Sequence, residues 1–249
     1  YHYLNFKTMK KIIMTIGLLI SLAAFSNAQG IRVTYLEQIR ASDNVKELSP
    51  EMRAAVEAQL KQQNRTMCLY SFQGESVYSP IQINSATQPQ QGSLNIQTMR
   101  MGGGATIYKN QNDKQIISQE YILDKLFLIT EGLNAPIWNM SAEEKTIGSL
   151  KCKKATNAGG DIAWYCPDIP VNEGPGTYFG LPGLIIKLET QARTIVVQDI
   201  DLKYDALKDI KKPDSGKKIT REDFNNTRTK KMQEMGINSG GPGVKVIKM

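Results

Sequence analysis

Short segments rich in apolar and β-branched residues recur at hairpin spacing from Ala105 to Tyr204. This pattern predicts β-strands over residues 105–110, 115–121, 124–131, 147–156, 161–167, 183–190 and 193–204. Two earlier segments, 31–39 and 66–78, also have strand composition, the second with an interruption at Gly74. The connections are short and contain turn-forming residues, so we expect antiparallel neighbours arranged as a meander.

A first helix is predicted over residues 50–63. Ser49 followed by Pro50 has the form of an N-cap and a first helical residue. The apolar residues Met52, Val56 and Leu60 fall on one stripe of this helix, so it is expected to pack by that face.

A second helix is predicted after Thr220, which forms a capping-box pattern with Asp223, and it is expected to end at Gly236. Between the two helices, residues 79–104 are rich in Gln, Asn and Ser, which predicts a surface excursion with at most one short strand. The final VKVIKM segment either pairs at a sheet edge or stays unpaired.

These elements predict a mainly β (α+β) fold, in which an antiparallel meander forms a half-barrel or open barrel with one or two packed helices. The chain divides into residues 1–28, residues 29–210 as the β-rich domain, and residues 211–249 as a C-terminal helix with a basic, Gly-rich tail.

The start of the chain has the pattern of an export signal. Met9, Lys10 and Lys11 precede an apolar run over 12–25, and Ser26 to Ala28 place small residues at a cleavage site. The run is shorter than the roughly 20 residues of a bilayer span. We therefore expect a mature chain from Gln29 without a transmembrane anchor, exported to the periplasm, associated with the outer membrane or secreted.

The amino-acid composition limits the kinds of catalysis and binding that the mature chain could support. The only histidine, His2, lies in the segment expected to be removed, which excludes histidine-dependent catalysis and histidine-ligated zinc from the mature chain. The formal charge of +7 becomes +4 once Lys7, Lys10 and Lys11 are subtracted. The remaining excess of Lys and Arg over Asp and Glu lies near the C-terminus. This pattern favours a solvated basic tail over a nucleic-acid-binding one. No cofactor, metal site or nucleic-acid partner is expected.

The three cysteines lie where disulfides can persist if the chain is exported. A three-residue loop around Ala158 to Gly160 would pair positions whose numbers sum to 318, and Cys152 and Cys166 satisfy that sum. Opposed strand residues can form a bridge. We predict a disulfide between Cys152 and Cys166 with Cys68 free, and the alternative pairs Cys68 with Cys152.

Residues 163–188 contain a segment rich in Pro and Gly that is also apolar, so it predicts a packed loop between two strands. One interpretation is a structural plug with Leu181 and Leu184 in the core. The other is a binding surface, because clustered aromatic residues mark such sites. The candidate binding residues are Trp164, Tyr178, Phe179, Leu181 and Leu184.

Gly180 to Ile185 read GLPGLI, preceded by Trp164, Tyr165 and the PDIP segment from Pro167 to Pro170. The chain thereby resembles the GLPGLI family of exported Bacteroidetes envelope proteins over roughly residues 105–204. Cys166 departs from the pattern of that family. The family has no generally established activity, so the resemblance implies only a signature loop, carried here by Pro167, Asp168, Pro170, Gly174, Pro175, Gly180, Pro182 and Gly183.

Three functions fit these observations. The first is a non-catalytic binding or accessory protein that holds an apolar small molecule, a lipid or an outer-membrane protein. The second is an enzyme that uses the carboxylate of Asp168 or Glu173, because acids on shaped loops can be catalytic. The third is a cell-surface protein whose basic tail docks on anionic headgroups.

Overall fold

The computed structural model describes residues 30–81 and 105–235. Four predicted features lie outside the described residues: the export signal, most of the polar excursion, Gly236 as the residue that ends the second helix, and the VKVIKM segment. Within the described residues, the strands form one twelve-stranded open sheet accompanied by two α-helices. The mainly β fold with packed helices is therefore confirmed.

Most strands are short, and several carry three or more consecutive buried residues, as expected where both faces of a sheet are covered. In chain order they are β1 (Gly30–Ile39), β2 (Arg65–Phe72), β3 (Glu75–Pro80), β4 (Thr106–Asn110), β5 (Gln115–Ile122), β6 (Lys125–Gly132), β7 (Trp138–Ile147), β8 (Leu150–Asn157), β9 (Ile162–Cys166), β10 (Leu184–Glu189), β11 (Arg193–Tyr204) and β12 (Lys217–Ile219). The helices are α1 (Pro50–Gln62) and α2 (Arg221–Glu234).

Two meanders meet at the centre of the sheet. The strand order is β12-β6-β5-β4-β3-β2-β1-β11-β10-β9-β8-β7. The first strand pairs antiparallel with both β2 and β11, with Tyr35 opposite Met67 on one side and Val197 on the other. The predicted meander is thus present as two halves, and β1 joins them.

One face of the sheet, which we call the inner face, carries the main core. Four neighbouring strands, β1 to β4, each contribute a buried side chain to this face: Tyr35, Leu69, Tyr78 and Lys109. Side chains from β8 to β11 and from the segment after β9 complete this core. The inner face therefore packs against the chain's own 167–183 segment.

The opposite, outer face is covered by the segment that follows β11. Val77, Tyr108, Ile117 and Leu128 form a buried cluster there, and Ile210 packs against it. The segment then continues to β12, which pairs parallel with β6. This return across the sheet brings α2 to the inner face beside β5 and β6, where Phe224 packs against Phe127.

Strands β7 and β12 were missed by the sequence prediction. No residue of β7 is buried, so its sequence shows no apolar face to distinguish a strand from a polar connection. The strand β12 has three residues and pairs with a strand about 90 positions earlier. The local sequence carries no signal for a pairing between segments so far apart in the chain.

The two predicted helices are present, with one correction. Ser49 accepts a hydrogen bond from the backbone N–H of Met52, as expected of an N-cap. Met52 itself is exposed, however, and α1 has no buried residue, so the predicted packing stripe is only partly covered. In α2, Thr220 caps the backbone N–H of Asp223, and Phe224 is the buried residue.

Candidate functional site

The segment from Pro167 to Gly183, which we call the loop, lies against the inner face and is partly buried. Ile169, Phe179 and Leu181 join the core beside β9 and β10. The indole nitrogen of Trp138 donates a hydrogen bond to the Phe179 carbonyl at 2.9 Å. The segment is therefore fixed to the sheet by both apolar packing and hydrogen bonding.

The candidate binding residues are not equally accessible. Trp164, Phe179, Leu181 and Leu184 are buried, whereas Tyr178 is half-buried and its hydroxyl donates to Asp161 at 2.9 Å. Of the signature residues, Gly174, Pro175 and Gly183 are buried, Pro167 is half-buried, and Asp168, Pro170, Gly180 and Pro182 are exposed. Binding by these residues stays a prediction.

Gly183 shows why the signature needs a glycine at that position. Its φ is +154°, and a Cβ placed there would lie 2.2 Å from the carbonyl oxygen of Cys166. A methyl group cannot be accommodated without moving the backbone of β9. The glycine therefore permits the close approach between the end of the loop and the strand before it.

The loop buries a charged pair. Lys109 on β4 and Glu173 in the loop are 1% and 2% exposed, and the Lys109 Nζ lies 2.6 Å from the Glu173 Oε2. The contact is a buried ion pair between the ammonium of Lys109 and the carboxylate of Glu173. Gln111 Nε2 donates to Glu173 Oε1 at 3.2 Å, and Lys109 Nζ lies 5.3 Å from the centre of the Phe179 ring.

A second set of polar side chains forms a hydrogen-bond network along the inner face. Arg193 Nη1 donates to Glu37 Oε2 at 2.7 Å, and the Tyr78 hydroxyl donates to Glu37 Oε1 at 2.8 Å. The Tyr78 ring makes an edge contact with Tyr35, whose hydroxyl donates to the Ile185 carbonyl. Burial, and then the charge of Glu37, raises the pKa of Tyr78 far above its ordinary value.

A cavity of about 570 Å³ lies between the inner face of β4 to β6, helix α2 and the loop. Its apolar wall includes Ile107, Ile116 and Phe224. Ser118 also lines it and is 1% exposed, and its hydroxyl has no hydrogen-bond partner among the residues that the structure describes. Thr177 brings the loop to the cavity.

Charged residues line the rest of the cavity. Arg221 Nη1 lies 2.6 Å from Glu120 Oε1, and its Nη2 lies 2.8 Å from Glu131 Oε2. Burial lowers the pKa of Arg221, but hydrogen bonds and charge from the two glutamates outweigh it and raise the pKa overall. Arg193 and Arg228 complete the charged lining. This arrangement joins α2 to β5 and β6 and leaves a space lined by both apolar and charged residues.

The cysteines confirm the predicted register but not the predicted bond. Lys153 pairs with Tyr165 and Lys154 with Trp164, and the numbers of both pairs sum to 318. Cys152 and Cys166, one position further along each strand, are buried free thiols in the structure, as is Cys68. Burial, with a contribution from Cys166, raises the pKa of Cys152 to about 11.

Neither candidate carboxylate has the surroundings of a catalytic pair. Asp168 is exposed, and Glu173 is buried in an ion pair with Lys109. Within residues 30–81 and 105–235, no group of three or more His, Cys, Asp or Glu side chains is placed to hold a metal ion. In the same ranges, no helix combines the length and apolar character that a membrane crossing requires.

Sequence reasoning missed the residues around the cavity and beneath the loop. Lys109 offered a signal, because it shares a face of β4 with Ile107 and so introduces a charge at an inward position. A charge on a buried face predicts a buried partner. The identity of that partner, Glu173, could not be read locally because it lies in a different part of the chain.

The comparisons with known proteins agree with the fold and leave the activity open. Two solved structures, described as "Structure of PNGF-II in P21 space group" and "Structure of PNGF-II in C2 space group", are similar to this chain, with TM-scores of 0.50 and 0.51 and identities of 12% and 11%. The likeness covers 80% and 81% of this chain but only 33% of theirs, so this chain matches about one third of their length. At such identities it shows the fold alone.

No curated protein matches the chain. A family model described as "Protein of unknown function (Porph_ging)" matches residues 160–187, which include β9, the loop and the start of β10. The chain therefore shares its signature segment with this family of unknown function.

Proposed function

We propose that the protein binds a small apolar or amphiphilic molecule in the cavity between β4 to β6, α2 and the loop. The cavity of about 570 Å³, with apolar and charged residues together in its lining, carries the proposal. Small-molecule sites are usually apolar clefts of roughly 300–1,000 Å³ with a few polar groups that orient the ligand. The combination of Ile107, Ile116 and Phe224 with a charged margin has this character.

In this proposal the loop is a structural wall of the site. Its apolar residues fill the inner face beside β8 to β11, and the Lys109–Glu173 ion pair fixes it over β4. The part of the inner face over β5 and β6 is then left for α2 and a ligand. The predicted contact residues Trp164, Phe179, Leu181 and Leu184 would act by shaping this wall.

We further propose that the chain is an exported GLPGLI-type envelope protein that works in the periplasm or at the outer membrane. The GLPGLI segment from Gly180 to Ile185 and the pattern of residues 9–28 support this. A binding or accessory role without catalysis fits both the cavity and the sealed position of Glu173.

Native mass spectrometry of the protein purified from its own cell envelope tests the binding role. We expect a retained small-molecule mass. Replacing Ala105, a half-buried residue of the cavity lining, by Trp should fill the space and abolish retention. The matched control is Ala142→Trp on exposed β7, which should retain the same mass. A bare wild-type protein, or a mass that survives Ala105→Trp, contradicts the proposal.

A further inference from the structure

We propose that the cavity selects a ligand with an apolar body and one anionic group, which Arg228 binds. This inference rests on the proposed binding function and specifies its ligand class. It follows from the charge pairing of the three arginines that line the cavity, and from the apolar residues beside them.

Two of the three arginines already have carboxylate partners. Arg193 pairs with Glu37 at 2.7 Å, and Arg221 pairs with both Glu120 and Glu131. Arg193 is balanced by one carboxylate and Arg221 faces two, and these contacts hold the cavity walls together. Both guanidiniums are therefore already engaged with carboxylates.

Arg228 differs from them. Its Nη2 donates to Asn225 Oδ1 at 3.4 Å, and its guanidinium lies 5.9 Å from the centre of the Phe224 ring. Among the described residues it forms no ion pair with a carboxylate. Arg221, Phe224 and Arg228 follow the i, i+3, i+7 spacing of one helix face, so α2 directs all three to the cavity.

The apolar wall provides the second observation. Ile107, Ile116 and Phe224 line the cavity, and the Phe224 ring lies 5.9 Å from the Arg228 guanidinium. The lining thus places a cation without a carboxylate partner beside an apolar surface. A carboxylate or similar anion on a hydrocarbon body matches both.

Calorimetric titration of the full chain with three ten-carbon probes tests the proposal. The probes are decanoate, decanol and decylammonium, which share the apolar body and differ in head-group charge. We expect decanoate to bind at least about tenfold more tightly than decanol, the ratio that corresponds to 1.4 kcal/mol, and decylammonium to bind most weakly.

Arg228 is exposed, so its substitutions should not unfold the protein. Arg228→Gln should bring decanoate and decanol to within about twofold, and Arg228→Glu should reverse the order in favour of decylammonium. Lys230→Gln, on the same helix at a position that does not line the cavity, should keep the wild-type preference.

The outcomes separate this inference from the binding function. Equal binding of decanoate and decanol, or a decanoate preference that survives Arg228→Gln, overturns the anion inference and leaves the binding role intact. Failure of all three probes to bind, together with a bare protein in native mass spectrometry, overturns both.

Discussion

The ammonium of Lys109 and the carboxylate of Glu173 meet at 2.6 Å, although 64 positions separate them, and neither side chain is more than 2% exposed. Lys109 belongs to β4 and Glu173 to the loop after β9, so the pair joins the two halves of the sheet across the inner face. Its position explains how a loop rich in Pro and Gly is held in one conformation.

Breaking this pair should destabilise the fold strongly. Glu173→Gln leaves the Lys109 charge buried without a counter-charge, so the free energy of unfolding should fall by about 3–5 kcal/mol. The double variant Lys109→Met with Glu173→Met should recover much of that loss. Urea denaturation of the wild type and the two variants measures the loss of stability and its recovery.

The matched control is Glu144→Gln. It removes an ion pair with Lys153 in which both side chains are about half exposed or more, and the free energy of unfolding should change by less than about 1 kcal/mol. If Glu173→Gln costs no more than this control, the buried pair does not fix the loop.

The signature glycine can be tested by comparing two Gly→Ala substitutions. At Gly183 a Cβ would lie 2.2 Å from the Cys166 carbonyl oxygen, so Gly183→Ala should cost more than about 3 kcal/mol or prevent folding. At Gly148, φ is +61° and nothing lies within 4 Å of the added Cβ, so Gly148→Ala should cost only about 1 kcal/mol. Equal thermal stability of the two variants would contradict this explanation of the signature.

Alkaline pH should destabilise the protein. Burial, with charge from Glu173 and Glu37 respectively, raises the pKa of both Tyr35 and Tyr78 above the ordinary value of 10.0. Above about pH 10 the unfolded chain loses these phenol protons while the native state keeps them. The free energy of unfolding should therefore decrease as pH rises through that range, because the unfolded state then binds fewer protons.

Denaturant titrations between about pH 8 and 11 measure this slope. Tyr78→Phe should reduce the slope, since one of the raised pKa values is removed. An unfolding free energy that stays constant across the range would show that the two phenols are not perturbed by folding.

The predicted disulfide between Cys152 and Cys166 stays open to a direct test. The pairing of Lys153 with Tyr165 places the two cysteines next in the same register. Non-reducing peptide mapping of protein taken from the cell envelope should find these cysteines linked and Cys68 free. Linkage of Cys68 to Cys152, or three free thiols, would show that the predicted bond does not form.

The sequence predicted those parts of the fold in which one strand face is apolar. The strands β5 and β6 each carry three consecutive buried residues, and their segments were predicted to within one or two residues. By contrast, β7 carries Glu143, Glu144 and Lys145 at exposed positions of the sheet edge. A strand without a buried face has no period-two signal, so it could not be distinguished from a polar connection.

The cavity could not be predicted because it depends on contacts between distant segments. Arg221 pairs with Glu120 and Glu131, which lie about 90 to 100 positions earlier in the chain. These ion pairs require the segment before α2 to cross the outer face and pair with β6. The sequence did identify the loop as packed and apolar, which the burial of Leu181 and Leu184 confirms. Local composition could not report that the space beside the loop stays open.

A crystal structure of the protein purified directly from its own envelope tests the central claim most directly. We expect density for a bound molecule in the cavity beside Ile107, Ile116 and Phe224, with its polar end at Arg228. A cavity closed by its own side chains, or a retained molecule bound on another surface, would contradict the proposed binding role.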